Sequence, residues 1–287
     1  MTATVLVPLD GSDKDGRALP VAVSLAHLTD GAVHLIRVLD ADAQHRSTAG
    51  GHRSDSDASH RLGDVTKRGL REAAEHLASL VARAVTWEVM YGGDVASVLL
   101  GRARELSADL VVMATRAPGP VGRAINGSVA DRVVRESTRP VVLVPPGADF
   151  LRGKQVQLRR VLVPLDGSDA ALQVLAHLLN FAGARELELV LLEVVVPSQD
   201  HLQAREAEHR LTVVADRVRA RGAAADVRVI EAGDPAGVIV DAIRQELVDF
   251  IAMATRGMRG LERHVLGSVA TEVVRRSEVS VLLVTRA

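Results

Sequence analysis

A chain of 287 residues is long enough for two domains of ordinary size. Its 47% hydrophobic and 25% charged residues are typical of a globular protein, and a net charge of −1 provides no basic face of the kind that binds nucleic acids. The chain has no cysteine, which excludes disulfides, zinc–thiolate sites and thiol nucleophiles.

The sequence also argues against a membrane protein. No apolar run approaches the roughly 20 residues that cross a bilayer. The opening segment MTATVLVPLD lacks the basic stretch that precedes the apolar run of a signal peptide. We therefore expect a cytoplasmic protein that binds neither membranes nor nucleic acids.

One segment occurs twice. VLVPLDGSD stands at residues 5–13 and again at residues 161–169, a shift of 156. Each copy begins its own unit, so two domains are predicted, at 1–147 and 155–287. The stretch between them contains Pro, Gly and charged residues, as interdomain linkers do.

Short apolar runs alternate with longer segments of helical periodicity in each copy. The first copy has predicted strands near 4–9, 32–39, 85–91, 109–115 and 140–145, and the second copy repeats their order. Most of these runs are apolar throughout, which is typical of parallel strands buried on both faces. The predicted fold is α/β, with two doubly wound domains, each a five-stranded parallel sheet with helices on both faces.

The first copy is longer than the second. MATR and GSVA recur with a shift of 140 instead of 156, and the difference leaves 16 extra residues in the first copy. They fall in the Ser-, Gly- and Asp-rich stretch 40–60, which we interpret as a mobile, solvated loop. Its histidines, His45, His52 and His60, match no standard metal-ligand spacing, so no metal site is predicted.

Asp10 and Asp166 each follow the first strand of their copy, at the edge where ligands of open parallel sheets bind. Two interpretations stay open. Each is either a turn residue whose carboxylate accepts main-chain N–H groups, or an acceptor for a ribose hydroxyl or an adenine amine. Ser12 and Ser168, or the aspartate after each, are predicted to cap the helix that follows.

A second segment also indicates a ligand. MATRGMRGLERHVLGSVA, residues 253–270, follows the fourth strand of the second copy and opens its fourth helix. Its glycines let the main chain approach a ligand closely. Gly267 and Ser268 fall at the predicted helix start, where free N–H groups and the helix dipole favour an anion, and Arg256 adds positive charge. The alternative is a flexible loop with an ordinary serine cap.

Together, the VPLDGS first strand, the MATRG fourth strand and the later Gly-Ser resemble the universal stress protein family, and both copies carry the resemblance. It implies a tandem member with strand order 3-2-1-4-5 in each domain. It also implies ATP, with or without Mg, bound along the motif Gly-x2-Gly-x9-Gly-Ser/Thr. The implied residues of the second copy are Asp166, Val194, Ala254, Gly257, Gly267 and Ser268, with Arg256 as a further candidate. Ala254 stands where the family has its first glycine.

The first copy departs further from that motif. Ala114 and Ala117 replace both leading glycines, and two prolines follow in the loop. The implied residues that remain are Asp10, Val38, Gly127 and Ser128. We therefore expect the nucleotide site of the first copy to be weaker or absent.

No motif for catalysis stands out. The chain lacks a Gly-x4-Gly-Lys-Ser/Thr phosphate loop, a Gly-x-Ser-x-Gly elbow and a His-Glu-x2-His zinc motif. The main hypothesis is a non-enzymatic, stress-response regulatory protein that binds an adenine nucleotide and acts on a partner protein. The alternatives are an interaction module that binds no nucleotide and a slow hydrolase of ATP or another phosphoester.

The last strand of each copy is an edge strand in the implied order, and exposed edges invite pairing. The resemblance implies that such edges meet in dimers. We predict an intramolecular pseudo-twofold pair through 140–145 and 279–284. A further homodimer of the whole chain stays open.

Overall fold

The computed structural model describes residues 3–12, 15–40, 54–115, 127–146, 158–181, 187–199, 201–255 and 266–285. The first repeat consists of β1 (Thr4–Pro8), α1 (Asp15–Thr29), β2 (Ala32–Asp40), α2 (Ser54–Ala78), β3 (Val85–Gly92), α3 (Val95–Glu105), β4 (Leu110–Ala114), α4 (Ser128–Glu136) and β5 (Val141–Val144). The second repeat consists of β6 (Arg160–Pro164), α5 (Asp169–Phe181), β7 (Glu188–Val195), α6 (Leu202–Ala220), β8 (Ala224–Glu231), α7 (Pro235–Gln245), β9 (Phe250–Ala254), α8 (Ser268–Arg276) and β10 (Ser280–Val284).

All ten predicted strands are present and belong to one sheet, in the order β3-β2-β1-β4-β5-β10-β9-β6-β7-β8. The α/β fold class with two similar units is confirmed, and within each repeat the strands are parallel and follow the order that the family resemblance implies. The central strands are buried on both faces, as their apolar composition predicts: Val161, Leu162 and Val163 are each at most 1% exposed.

The two repeats join through an antiparallel pair between β5 and β10. Val142 lies opposite Leu282, and Leu143 lies opposite Val281. Both strands are otherwise edge strands of their own repeats, so the pairing satisfies main-chain groups that a separate domain would expose. The predicted intramolecular contact between the last strands is present.

Two apolar cores, one on each face of the sheet, run across this junction. One face carries α1, α2, α5 and α6, and its core includes Val142 and Leu282. The other face carries α3, α4, α7 and α8, and its core includes Leu143 and Val281. Each core therefore contains side chains of both repeats, because alternate residues of β5 and β10 point to opposite faces.

The outermost strands, β3 and β8, are more polar than the central ones. On β3, Glu88 accepts hydrogen bonds from the buried His34 of β2 at 2.8 Å and from Arg102 of α3 at 2.6 Å. His34 also bonds Thr86 at 2.7 Å. Burial opposes ionisation of Glu88, but the bonds from Arg102 and His34 outweigh it and lower the pKa of the Glu88 carboxyl.

The interpretation of 40–60 as a loop is wrong for its last residues. Residues 54–60 belong to α2, which continues to Ala78. Ser54 and the acidic residues after it suit the start of a helix, because serine caps helices and negative charge near the N-terminus is favourable. The predictions for 41–53, including His45 and His52, fall outside the described residues.

Among the described residues, every helix is too short or too polar to pass through a bilayer.

The junction predicts the effect of a charge in its core. Val142 is fully buried, so Val142→Asp should lower the free energy of unfolding by about 3 kcal/mol or more, since the carboxylate has no partner there. Urea denaturation measures this loss. Val196→Asp is the matched control, because Val196 is 68% exposed and tolerates a charge. Equal midpoints for Val142→Asp and wild type would contradict the buried junction.

The hydrogen bonds that Glu88 accepts from His34 and Arg102 predict a pH-dependent contribution to stability. Glu88→Gln should reduce the free energy of unfolding by about 2 kcal/mol at pH 7, where the carboxylate holds two charged or polar donors. Because the folded pKa is lowered, this contribution is complete above the unfolded pKa of about 4.3 and is lost as pH falls through the folded value. Denaturation of both proteins from pH 3 to pH 7 tests this, and a pH-independent difference would refute it.

Candidate functional site

In each repeat the chain reverses its direction across the sheet at the carboxyl ends of two neighbouring strands, and we call this point the crevice of that repeat. In the first repeat, β1 pairs with β2 on one side and β4 on the other. The connection after β1 leads to α1 on one face, and the connection after β4 leads to α4 on the opposite face. Open α/β sheets bind ligands at such a point. The second repeat has the same arrangement around β6 and β9.

Asp10 and Asp166 lie in the loops after β1 and β6, and both are exposed. The Asp10 carboxylate accepts the N–H of Ser12 at 2.9 Å, and the Asp166 carboxylate accepts the N–H of Ser168 at 3.1 Å. The glycine inside each turn has a positive φ, +76° at Gly11 and +78° at Gly167. The turn-forming role is therefore present in both repeats, and a ligand-binding role for either carboxylate stays a prediction.

The capping predictions have different outcomes in the two repeats. The Ser168 hydroxyl accepts the N–H of Ala171 at 3.2 Å and caps α5. The buried Ser12 hydroxyl makes no hydrogen bond in the part of the chain that the structure describes. Instead, Asp15 of α1 accepts the N–H groups of Asp10 at 3.0 Å and Gly11 at 2.7 Å.

Val38 and Val194 present main-chain groups to the crevices. In the second repeat, the Leu165 N–H donates to the Leu192 carbonyl at 2.8 Å, just after β6 ends. Alternate residues of a parallel strand direct both main-chain groups toward the same neighbour. The N–H and carbonyl of Val194 therefore point to the β6 side, beyond the end of that strand. Leu9 and Ile36 make the equivalent bond below Val38 in the first repeat.

Gly267 and Ser268 stand at the start of α8, as predicted. The Gly267 N–H donates to the carbonyl of Thr255, the residue after Ala254 at the end of β9, at 2.8 Å. This bond brings the first turn of α8 back to the end of the strand. Gly267 has φ −60° and ψ 151°, a conformation open to any residue. Arg256 and Gly257 fall outside the described residues.

The helix start and the strand end that correspond to these in the first repeat make different contacts. Gly127 and Ser128 again begin the helix, α4, but Gly127 has φ +132°, which favours glycine. The carbonyl of Thr115, which follows Ala114, accepts a hydrogen bond from Arg17 of α1 at 3.1 Å. No bond from Gly127 to Thr115 occurs among the described residues. Ala117 lies outside them.

Sequence reasoning missed several charged residues around the crevices. Arg37 of β2 lies against Gly11, where a Cβ would meet its guanidinium. Glu193 of β7 takes the equivalent position in the second repeat and is 5% exposed. One Glu193 oxygen accepts from Arg210 at 2.6 Å, and within the described residues the other has no partner.

A signal for this pair was available in the sequence. Arg37 and Glu193 are separated by the 156-residue shift, so aligning the two copies exposes a charge reversal inside otherwise apolar strands. At the start of the following helix, the counterpart of the charged Asp15 is the uncharged Ala171. The two crevices therefore share a main-chain plan but differ in the charges that surround it.

A family model described as the universal stress protein family matches residues 1–145 and again residues 157–285. The chain belongs to the universal stress protein family. The two matches also confirm that it is a tandem member, with one family unit in each repeat.

Individual relatives agree with this assignment. A universal stress protein of Methanocaldococcus jannaschii is 29% identical over 150 residues, which are 48% of this chain and 88% of that protein. One from Mycolicibacterium smegmatis is 25% identical over 200 residues, covering 67% of this chain and 66% of that protein. The crystal structure of a universal stress protein from Archaeoglobus fulgidus superposes with a TM-score of 0.72 at 20% identity, covering 99% of this chain and 98% of that chain, which shows a shared fold.

The loop after β6 predicts the cost of a side chain at its turn. Gly167→Ala should destabilise the protein by about 1–2 kcal/mol, because an L-residue pays that amount in the left-handed conformation. Gly69→Ala is the matched control. Gly69 is an exposed interior residue of α2 with open space around its Cα, and alanine there should stabilise by about 0.5–1 kcal/mol. Thermal unfolding compares the two variants, and equal shifts of the same sign would contradict the turn conformation.

Proposed function

We propose that this universal stress protein is a regulatory protein that binds ATP, mainly in the crevice of its second repeat. The observation that carries the proposal is the bond between the Gly267 N–H and the Thr255 carbonyl. It holds the start of α8 at the carboxyl edge of the sheet, beside the turn that contains Asp166. A nucleotide in this crevice has its phosphates at the helix and its base at β7.

The first turn of α8 supports the phosphate end of the proposal. The first N–H groups of any helix have no partner within the helix. Gly267, which precedes α8, has no side chain to cap them. Ser268 is exposed and adds a hydroxyl. An anion there gains N–H donors and the favourable end of the helix dipole.

The residues on the β6 and β7 side of the crevice support the base and ribose end of the proposal. The Val194 N–H and carbonyl face the crevice and match the donor and acceptor on the edge of adenine. Asp166 is within the adjoining turn, where its carboxylate is suited to a ribose hydroxyl. The resemblance to the family assigns the same residues to ATP, and Mg is its companion ion in this proposal.

The first repeat supports a second function. Its Thr115 carbonyl is bonded to Arg17, and its Gly127 has a different main-chain conformation from Gly267. We propose that this repeat acts chiefly as an interaction module for a partner protein. ATP in the second repeat then regulates a surface that the junction of β5 and β10 connects to the first.

The first test is the nucleotide content of the purified protein. Acid-released material should absorb at 260 nm, have the mass of an adenine nucleotide, and amount to about one nucleotide per chain. Protein that carries no nucleotide and binds none of ATP, ADP or AMP in calorimetry would refute the nucleotide proposal and favour the interaction module for both repeats.

The second test places a side chain in the phosphate site. Gly267→Val should weaken ATP binding at least about tenfold, on the order of 1.4 kcal/mol, because its branched side chain takes the space of the anion. The main-chain conformation of Gly267 accepts valine, so the variant should fold. Gly69→Val, on an exposed position of α2, is the control. Wild-type affinity in folded Gly267→Val would contradict the phosphate position.

A further inference from the structure

An apolar cavity lies over the junction of the two repeats, on the face of the sheet that carries α1 and α5. Its volume is about 250 Å³, and both repeats line it. Its buried apolar walls include Leu25, Leu110, Leu158, Leu178, Phe250 and Leu282. These residues all belong to the apolar core of that face, so the cavity is a gap within a core that continues from one repeat into the other.

The spacing of the helices explains the gap. In the first repeat α1 packs on β1 and β4, and in the second repeat α5 packs on β6 and β9, with β5 and β10 between these pairs. Neighbouring strands lie about 4.8 Å apart, so the three steps from β4 to β9 span about 14 Å, whereas packed helices lie roughly 8–10 Å apart. The two helices are therefore too far apart to close over the junction.

The cavity is separate from the two crevices. The first repeat contributes Leu110 at the start of β4 and Arg139 just before β5, and the second contributes Phe250 at the start of β9. Each repeat thus lines the cavity from the amino ends of its strands, while its crevice lies at the carboxyl ends. A molecule in the cavity does not compete with a nucleotide, so its binding is independent of the function proposed above.

The rim of the cavity is polar but balanced in charge. Asp109 and Arg139, which precede the neighbouring strands β4 and β5, are both half-buried and have opposite charges. The Asp109 carboxylate also accepts the Thr4 N–H at 2.8 Å. Partial burial lowers the pKa of His177 below its usual value, so this imidazole is neutral at pH 7. The described rim therefore has no net charge.

These properties limit what the cavity can bind. An ion would lose its water against apolar walls without gaining a net counter-charge, which costs several kcal/mol. An uncharged apolar molecule pays no such cost, and a dry cavity of roughly 150 Å³ is large enough for benzene. Drug-sized ligands need roughly 300–1,000 Å³. The volume of this cavity lies between the two, which favours a compact ring system.

We infer that the junction cavity is a binding site for a compact, uncharged aromatic molecule such as a phenol. Its rings pack against the leucines and Phe250, and its hydroxyl has a hydrogen-bonding partner in the neutral imidazole of His177 at the rim. Because the walls come from both repeats, the ligand stabilises the junction between them and raises the unfolding temperature of the whole chain.

Filling the cavity tests the inference in the full chain. Calorimetry with 2-naphthol should find one site per chain, and Leu28→Trp should weaken that binding at least about tenfold, because the indole takes the space of the ligand. Leu28 lies on α1 and is only partly buried, so the larger side chain is accommodated. Leu172→Trp, at a 39% exposed position of α5 outside the cavity, is the matched control. Wild type that binds no 2-naphthol, or folded Leu28→Trp that binds it normally, would overturn the inference. Leu25→Phe, a smaller enlargement on the same helix, decides the outcome if Leu28→Trp does not fold.

The charge of the ligand is tested separately. The anion 2-naphthoate has a similar ring system and should bind wild type at least about tenfold more weakly than 2-naphthol. Asp109→Asn retains an acceptor for the Thr4 N–H but leaves Arg139 unopposed, so it should raise the affinity for 2-naphthoate. Equal affinities of wild type for the two compounds, or no gain for 2-naphthoate in Asp109→Asn, would overturn the assignment to an uncharged ligand.

Two other occupants would give different results. If the stretch between the repeats fills the cavity, wild type binds no 2-naphthol, and the double variant Phe150→Ser/Leu151→Ser binds it. If a second copy of the chain fills it, light scattering finds a dimer that Leu28→Trp dissociates and Leu172→Trp does not. Either result would overturn the small-molecule site.

Discussion

The pairing of β5 with β10 is the interaction on which the rest of the molecule depends. Each repeat alone would end its sheet in a short strand that is apolar on both faces, with unpaired main-chain N–H and carbonyl groups along its outer edge. Such an edge is a site of aggregation unless another strand covers it. Because both strands belong to one chain, the repeats cover each other, and the two apolar cores continue from one repeat into the other.

The direction of that pairing also separates the two crevices. Strands within a repeat are parallel, whereas β5 and β10 are antiparallel. The carboxyl ends of the first repeat therefore lie at one edge of the sheet, and those of the second repeat lie at the opposite edge. No single small ligand contacts both crevices, so each is free to have its own charges. Arg37 and Glu193 differ in charge, for example, while the turns at Gly11 and Gly167 keep the same main-chain conformation.

The parts of the two repeats that form the fold are alike, whereas the contacts near the crevices differ. The turn that contains Gly11 or Gly167, and the buried strands beneath it, are nearly the same in both repeats because they determine the fold. The contacts at the two carbonyls differ, since Arg17 of α1 donates to Thr115 whereas the Gly267 N–H donates to Thr255. In the proposed function, only one of the two structural units holds the ligand.

The sequence by itself determined the elements whose cause is local. Apolar runs identified the strands, since a strand buried on both faces has little choice of residue, and the repeated VLVPLDGSD located the two units. The turn at Asp166 and the helix start at Ser268 were also predictable, because short-range hydrogen bonds form them. The start of α2 at Ser54 was missed, since polar residues suit a helix cap and a loop equally well. Only the tertiary structure decided which side chains make contacts between elements. Arg17 donates to the Thr115 carbonyl, Arg210 donates to Glu193, and Asp15 accepts the N–H groups of the turn before α1. These contacts join residues far apart in the chain, or depend on side-chain direction, and no sequence periodicity encodes either.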